Sequence, residues 1–310
     1  MESSHVAVVI PSYNSGTDLL DCIQSLYNQE YQDWHAFIID GASPDIETQR
    51  ILEHISEKRA TVIREPCKRG LAAARNTGFQ ASESPLILSL DADDILLPRF
   101  LTETVSILDS MPEIDCVFTI FEVFGIRTGI MRLGPPTRER MRTHQCIPAT
   151  GVLMRREVWG KVGGYCEDKI FQLGNEDWDF WIRAMEAGCK PYEIEKPLYR
   201  YRTSPNSLCT KAFYVEHETR QQLIERHPFF FANRSVTRQL LADGYALSSD
   251  ASLMRGEKVR AIRMAFREIC LRPISTKSWR RLLRILCPDF FVKTVKRLKL
   301  AYAIYTPRGK

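Results

Sequence analysis

The sequence predicts an α/β fold: a mostly parallel sheet with helices on both faces, followed by a helical C-terminal extension. Three observations lead there. Short apolar runs alternate with amphipathic stretches through the first hundred residues, the spacing of strand–helix–strand units. Carboxylates gather at the exits of those apolar runs, where open α/β sheets bind ligands. From about residue 211 onward only helical periodicity remains. We therefore expect residues 1–210 to hold the sheet and residues 211–310 to form a basic helical extension.

The elements follow in order. HVAVVIPSYN reads as a strand ending at Pro11, and GTDLLDCIQSLYNQ as a helix turning Leu19, Leu20, Ile23, Leu26 and Tyr27 inward. WHAFIID is a second strand ending at Asp40. Ser43 and Pro44 then suit the N-cap and first position of a helix. ATVIREP is a short third strand and GLAAARNTGFQAS an Ala-rich helix. LILSL is a fourth strand, apolar except for Ser89 and so covered on both faces. Pro98 suits the first turn of the next helix. Beyond about residue 112, DCVFTIFEVFG and IPATGVLM read as strands and NEDWDFWIRAMEAG as a helix closed by Gly188. YEIEKPLYRYR returns as a strand with Pro197 at an edge or a kink.

Composition narrows the class. At 310 residues, 44% apolar and 26% charged, the chain is an ordinary globular one with room for a substantial core. No apolar stretch approaches the roughly 20 residues that span a bilayer, and the N-terminal run is too short for a signal peptide. Nine scattered cysteines without a C-x-x-C pair argue against a zinc site and a secreted disulfide framework, so a cytoplasmic location is expected. The net charge of +5 is uneven: residues 251–310 carry 16 Lys/Arg and 3 Asp/Glu, a balance of +13, which leaves −8 for the first 250. A basic tail on an acidic body suggests an anionic partner. The acidic, motif-bearing body argues against nucleic acid. In FFVKTVKRLKLAYAIY, Phe291, Val295, Leu298 and Tyr302 recur at helical spacing among lysines. Such helices, with SWRRLLRIL before them, either lie peripherally on an anionic membrane or pack on the domain with a solvated basic face.

No G-x-G-x-x-G follows the first strand and no G-x-x-x-x-G-K-[ST] occurs, which removes the dinucleotide-binding and P-loop classes. The strand exits carry acid instead: Asp40, then Asp91, Asp93 and Asp94 of LDADD. Carboxylates this close repel unless solvent, a cation or hydrogen-bond donors compensate them. A carboxylate at a strand exit accepts hydrogen bonds from ribose hydroxyls or a base N–H. A D-x-D pair holds a divalent cation whose other ligands are water and substrate phosphates. The plain alternatives are a solvated acidic turn for LDADD and a turn-former for Asp40.

PSYN, DGAS, GLAAARNTG, LDADD, GGY and NEDWDFWIR, in this order and spacing, resemble the inverting nucleotide-sugar glycosyltransferases of family 2, which have the GT-A fold. The resemblance covers residues 6 to about 208. It implies that the loop from Pro11 through Tyr13 to Asn14 lies under the nucleobase and that Asp40 hydrogen-bonds that base, usually uracil. It implies that Arg75 faces the nucleotide, that Asp91 lies near the ribose, and that Asp93 ligates Mn2+ or Mg2+ with Asp91 beside it. Asp177 matches the catalytic base, with Glu176 and Trp181 near the sugar or acceptor. The donor implied is a UDP-sugar. The acceptor is a hydroxyl of a glycan or lipid-linked saccharide in surface polysaccharide or glycoconjugate synthesis. Without a Q-x-x-R-W motif or membrane spans, transfer of a single sugar is expected rather than polymerisation. A catalytically impaired sugar-nucleotide-binding module is the alternative. Two departures stand out: Lys68 and Arg69 precede Gly70, and Ser204 sits where the family often has a metal-binding histidine.

Helix geometry adds to this. In a helix starting near Glu176, Asp177 and Trp181 share a face, while Asp179 and Arg183 form a surface pair worth about 0.3–0.5 kcal/mol. The helix dipole favours an ionised Asp177. Trp178 and Trp181 offer flat faces to a sugar or fill the core. Taken alone, Arg75 reads as an exposed helical arginine.

Overall fold

The computed structural model describes residues 4–55, 59–204 and 211–287 and divides into two compact units, Met1–Ser207 and Leu208–Lys310. In the first, β1 (Val6–Ser12), β2 (Trp34–Asp40), β3 (Ala60–Arg64) and β4 (Leu86–Ser89) alternate with α1 (Asp18–Tyr27), α2 (Ile46–His54) and α3 (Leu71–Gln80). The chain continues through β5 (Ile95–Leu96), α4 (Phe100–Ser110), β6 (Cys116–Gly125), β7 (Gly129–Met131) and α5 (Arg138–Met141). Then come β8 (Val152–Arg155), α6 (Arg156–Val162), a 3-10 turn (Lys169–Leu173), α7 (Glu176–Glu186) and β9 (Pro191–Thr203). One sheet runs β3-β2-β1-β4-β8-β6-β9-β5, with β7 added to β6. Its first four strands are parallel. β8 is antiparallel to both β4 and β6, and β6 and β9 are parallel. The expected α/β architecture is present.

All seven residues of β1 and all four of β4 are buried, as strands covered on both faces require. The inward stripe of α1 is Leu19, Cys22, Ile23 and Leu26, spaced i, i+3, i+4, i+7. Leu20 and Tyr27 flank that stripe and are exposed, contrary to the expectation. The second helix also starts later than Ser43 and Pro44. Asp45 is its N-cap, accepting from Thr48 N at 2.8 Å, because the Ser43 hydroxyl is occupied by Asn14 N at 2.9 Å. Pro98 lies two residues ahead of α4 rather than in its first turn, since Ile95 and Leu96 first pair with Arg200 and Tyr199. Of IPATGVLM only the end is strand. Pro197 sits at a register shift: Thr119 faces Ile194 but Ile120 faces Pro197, so β9 bulges inside the sheet and is not an edge.

The described residues of the second unit hold a 3-10 turn (Phe213–Val215) and four helices, α8 (Glu216–Arg226), α9 (Arg234–Met254), α10 (Lys258–Leu271) and α11 (Thr276–Leu286). Ala261, Ala265 and Ile285 form a small core between α10 and α11. Buried Glu268 pairs with Arg281 at 2.5 Å. The SWRRLLRIL stretch is α11, whereas FFVKTVKRLKLAYAIY lies outside the described residues.

Helix α3 reaches the sheet through Gly78, where an added Cβ would meet Val9 Cγ1 at 2.4 Å and Cγ2 at 2.7 Å. Val9 is fully buried and stiff about χ1, so it cannot yield. Gly78→Ala should lower stability in urea by about 1–3 kcal/mol despite its better helix propensity. Gly160→Ala, with open space around it, should be neutral or stabilising by up to about 1 kcal/mol. Equal midpoints for the two variants would remove the close helix–strand approach as a constraint.

Candidate functional site

The exits of β1, β2 and β4 converge at one end of the sheet. The PSYN and DGAS loops are laced together there. Gly41 N donates to Ser12 O at 2.9 Å, and Asp45 N donates to Asn14 Oδ1 at 3.3 Å. Asn14 and Ala42 both take left-handed backbone angles, φ 53° and 59°, a conformation that costs an alanine about 1–2 kcal/mol. Pro11 is buried, while Tyr13 is exposed with the Lys68 ammonium 3.6 Å above its ring. Asp40 is buried and its Oδ1 accepts from Ser43 N at 3.1 Å. It is therefore a turn-former as well as a strand-exit acid.

The LDADD segment is not a solvated turn. Asp91 N donates to Thr150 Oγ1 at 2.8 Å. Arg202 straps the turn, donating from its backbone N to Asp94 Oδ1 and from Nε to Asp93 O, both at 2.9 Å. Its other guanidinium nitrogens reach Asp18 at 3.3 Å and Asp21 at 3.1 Å. Asp94 is fully buried. Burial, then the charges of Asp91 and Asp93, pushes its carboxyl well above the usual range. Asp93 is half-buried and its carboxylate accepts from no other described residue; burial and then Asp91 push it up to about 6. A carboxylate so placed fits a cation, with the charge of Asp91 close enough to act on it. Among the described residues no group of three His, Cys, Asp or Glu forms a complete metal cage. Ser204 follows β9 and adds no such ligand, and the Ser207 end of its motif lies outside the described residues.

Arg75 joins this turn to α7. The guanidinium is fully buried, which corrects the exposed-arginine expectation. Its Nε donates to Ser89 Oγ at 2.9 Å, Nη1 to Glu176 Oε1 at 2.6 Å and Nη2 to Asp91 Oδ1 at 3.0 Å. Burial alone would lower its pKa, but the charges of Asp91 and Glu176 outweigh that and hold it well above the ordinary value. The Tyr165 ring lies 5.3 Å away and stacks on Phe180 at 4.4 Å. The neighbouring Asn76 fixes the GGYCED loop, exchanging hydrogen bonds with Tyr165 N at 2.8 Å and Tyr165 O at 2.9 Å.

The chain enters α7 through Gly174 and Asn175, both at positive φ. Glu176 and Asp177 are buried in its first turn. Asp177 Oδ1 accepts from Trp178 N at 2.8 Å, and Oδ2 accepts from the Gln145 amide. Burial raises the Asp177 pKa despite Gln145 and Arg75 opposing it, so the dipole does not decide its protonation as expected. Burial and then the Asp177 charge push Glu176 up to about 7, with Arg75 opposing. Trp181 is 1% exposed, and its Nε1 donates to Pro148 O at 3.3 Å. It offers no open face to a sugar, and Trp178 is likewise buried. Asp179 and Arg183 also differ from expectation. The acid is fully buried, and Arg183 spans from it to Val162 O at 2.6 Å and Gly164 O at 2.7 Å, forming an internal clamp. Arg69 is held by Glu167 at 2.6 Å and Glu65 at 3.4 Å, which leaves Lys68 as the less engaged cation.

Sequence reasoning missed Gln145, Tyr165, Asn76, Thr150 and the strap role of Arg202. Asn76 stands inside ARNTG and was within reach, whereas nothing in the local pattern marks Gln145.

The family model "Glycosyl transferase family 2" matches residues 7–161, half of the chain. EpsE of Bacillus subtilis is 27% identical over 215 residues, covering 67% of this chain and 76% of that protein. Among solved structures, S. aureus TarS in complex with UDP-GlcNAc superposes with a TM-score of 0.58 at 15% identity, covering 89% of this chain and 91% of that one. The mannosyltransferase PcManGT from Pyrobaculum calidifontis, in complex with GDP-Man and Mn2+, gives 0.58 at 16% identity, covering 93% and 89%. The structural likeness establishes the fold.

Removing the guanidinium would leave Glu176 and Asp91 without their shared partner. Arg75→Met should cost about 3–5 kcal/mol in urea denaturation, the penalty for breaking a buried ion pair. Arg75→Lys should recover only part, because one ammonium cannot reproduce a fork with three partners. An unchanged midpoint for Arg75→Met would mean the network is dispensable.

Proposed function

This chain belongs to glycosyl transferase family 2, and from that premise we propose that it moves a single sugar from a nucleoside diphosphate donor, a UDP-sugar, to a hydroxyl of a glycan or lipid-linked saccharide, inverting the anomeric centre. The pathway we assign is surface polysaccharide or glycoconjugate synthesis. The observation that carries the reading is one buried network, centred on Arg75, that joins the D-x-D turn to the acids opening α7.

In this reading Asp40 accepts from the base, the Pro11–Tyr13 backbone lies beneath it, and Asp91 approaches the ribose. Lys68, whose ammonium lies over the Tyr13 ring of that loop, assists the diphosphate. Asp93, with Asp91, would hold Mn2+ or Mg2+, and the bound cation supplies positive charge where the leaving diphosphate develops its negative charge. The acceptor oxygen attacks from the opposite face through an oxocarbenium-like state. Asp177 takes its proton. Glu176 is the less suitable base because Arg75 already occupies its carboxylate at 2.6 Å. Gln145 holds Asp177 in position and favours its charged form, since a donor to a carboxylate stabilises the anion.

No helix among the described residues is long and apolar enough to cross a membrane. We assign a peripheral site on an anionic cytoplasmic leaflet, supported by α11, where Trp279, Leu283 and Leu286 are exposed beside Arg280. Co-sedimentation with phosphatidylglycerol vesicles that weakens with added salt tests it, and no sedimentation at low salt would reject it.

The function itself is tested by incubating the protein with UDP-, GDP- and dTDP-sugars and Mn2+ or Mg2+, following release of the nucleoside diphosphate. UDP release is expected. No release from any donor would favour the impaired binding module.

Asp177→Asn should lower turnover by roughly 10²–10⁴ while UDP binding survives. The pH profile gives an independent readout. The base must be ionised, and burial raises its pKa, so the acid limb should lie above that of an ordinary aspartate. Gln145→Leu removes a donor to the anion, so that limb should move to still higher pH. A limb unmoved by Gln145→Leu would place the base elsewhere.

A further inference from the structure

Five carboxylates meet at the D-x-D turn: Asp91, Asp93 and Asp94 within it, and Asp18 and Asp21 from the first turn of α1. Arg75 takes Asp91 from the inner side. Arg202 of β9 takes the other side and ties the turn to α1. Its Nε donates to Asp93 O at 2.9 Å, while Nη1 lies 3.3 Å from Asp18 Oδ1 and Nη2 3.1 Å from Asp21 Oδ2. The guanidinium carbon sits 4.6 Å from the centre of the ring of Phe124, its register neighbour on β6. Arg200 lies 4.5 Å from the same ring and is held in turn by Glu122 at 3.1 Å.

What the Arg202 fork grips in the turn is the backbone of Asp93, not its carboxylate. The peptide joining Asp93 to Asp94 is held at both ends. Arg202 donates to its carbonyl, and its N–H donates to Asp91 O at 3.0 Å. Fixing that peptide fixes the direction in which the Asp93 side chain leaves the turn. Stability does not account for the arrangement, since pairs with acids as exposed as Asp18 and Asp21 contribute little in water. Charge does not account for it either, because a guanidinium beside a cation site repels the cation.

We propose that Arg202 is a positioning residue: its guanidinium, braced on Asp18, Asp21 and Phe124, presets the Asp93 peptide so that the carboxylate is aimed for a divalent cation before the donor arrives. Ser204, two residues on, brings neither imidazole nor carboxylate, so cation affinity depends on how well Asp93 is aimed. The proposal rests on the assignment of Asp93 as cation ligand, and its test is a binding measurement that needs no turnover.

Titrate UDP into the full chain by calorimetry, once in EDTA and once in Mn2+, at about pH 8, where carboxylates are ionised. The ratio of the two affinities is the gain that the cation confers, and in the wild type Mn2+ should tighten UDP. Arg202→Lys keeps the charge but cannot reproduce the fork, and Arg202→Met removes a charge that repels the cation. Both should reduce the gain by at least about fivefold while leaving UDP affinity in EDTA unchanged. The bond from residue 202 N to Asp94 is main-chain and survives both substitutions; circular dichroism checks the fold, and Arg202→Lys alone decides the matter if Arg202→Met unfolds. Asp18→Asn/Asp21→Asn should reduce the gain in the wild-type background but not in Arg202→Met, because these acids act through the guanidinium. An unchanged gain in Arg202→Lys, or a larger gain in Arg202→Met, overturns the proposal, since Arg202 would then act only as a charge. Loss of UDP affinity in EDTA overturns it too, by making Arg202 a direct contact of the diphosphate. Equal effects of the acid pair in both backgrounds would mean that those acids attract the cation directly, which also refutes it. A wild type whose UDP affinity ignores Mn2+ removes the cation assignment itself, and the proposal with it.

Discussion

A guanidinium with no exposed surface sits at the junction of three elements, and the geometry of the site depends on it. Burying a charge is costly unless other groups replace its hydration. Arg75 meets that demand with Ser89 and Asp91 at the exit of β4 and Glu176 at the start of α7. Because the arginine has few ways to satisfy itself, the strand exit and the helix start are held in a common arrangement. Asn76, one residue later on α3, ties down the loop that leads toward α7. Two adjacent residues of one helix thus position the D-x-D turn and the acids of the helix together, and Gly78 lets that helix sit against β1.

The same constraint divides labour among carboxylates that look alike in sequence. Asp91 and Glu176 are committed to Arg75. Asp94 is sealed in the interior and bonded to the backbone of β9. Asp93 has no side-chain partner among the described residues, and burial and then Asp91 disfavour its charged form. Asp177 takes a side-chain hydrogen bond from Gln145, and the pair at the start of α7 crowds two negative charges that burial discourages. Burial and mutual repulsion leave these groups readier to change charge than ordinary surface carboxylates. Exposed positions within each unit contrast with this. The β6–β7 hairpin and α11 each expose apolar side chains amid arginines, surfaces more consistent with a partner than with water.

Much of the fold is legible in the amino-acid sequence alone. The order of strands and helices followed from apolar periodicity, because period 2 and period 3.6 patterns are local properties of the chain. The family membership was legible because its motifs lie at strand exits, where short contiguous segments carry the chemistry. Element boundaries were less so. Ser43 looked like a helix cap until its hydroxyl was taken by Asn14 from another loop. Pro98 looked like a helix start until a two-residue strand intervened to pair with β9.

What the sequence by itself determined is the inventory: an α/β body, acids at the strand exits, a basic helical end and the set of residues from which a site could be built. Which acid pairs with which base was decided only by tertiary structure. Arg75 and Glu176 lie 101 positions apart, as do no residues that local pattern can connect, and yet their nitrogen and oxygen meet at 2.6 Å. Gln145 and Asp177, 32 positions apart, meet in the same way. Burial follows the same logic: Arg75, Asp179 and Trp181 have side chains that a helix alone would leave in water or offer to a ligand, and the packing of other elements over them sets their exposure. Pairing and burial are sums over contacts that are distant in the chain, so they exist only once the chain has folded.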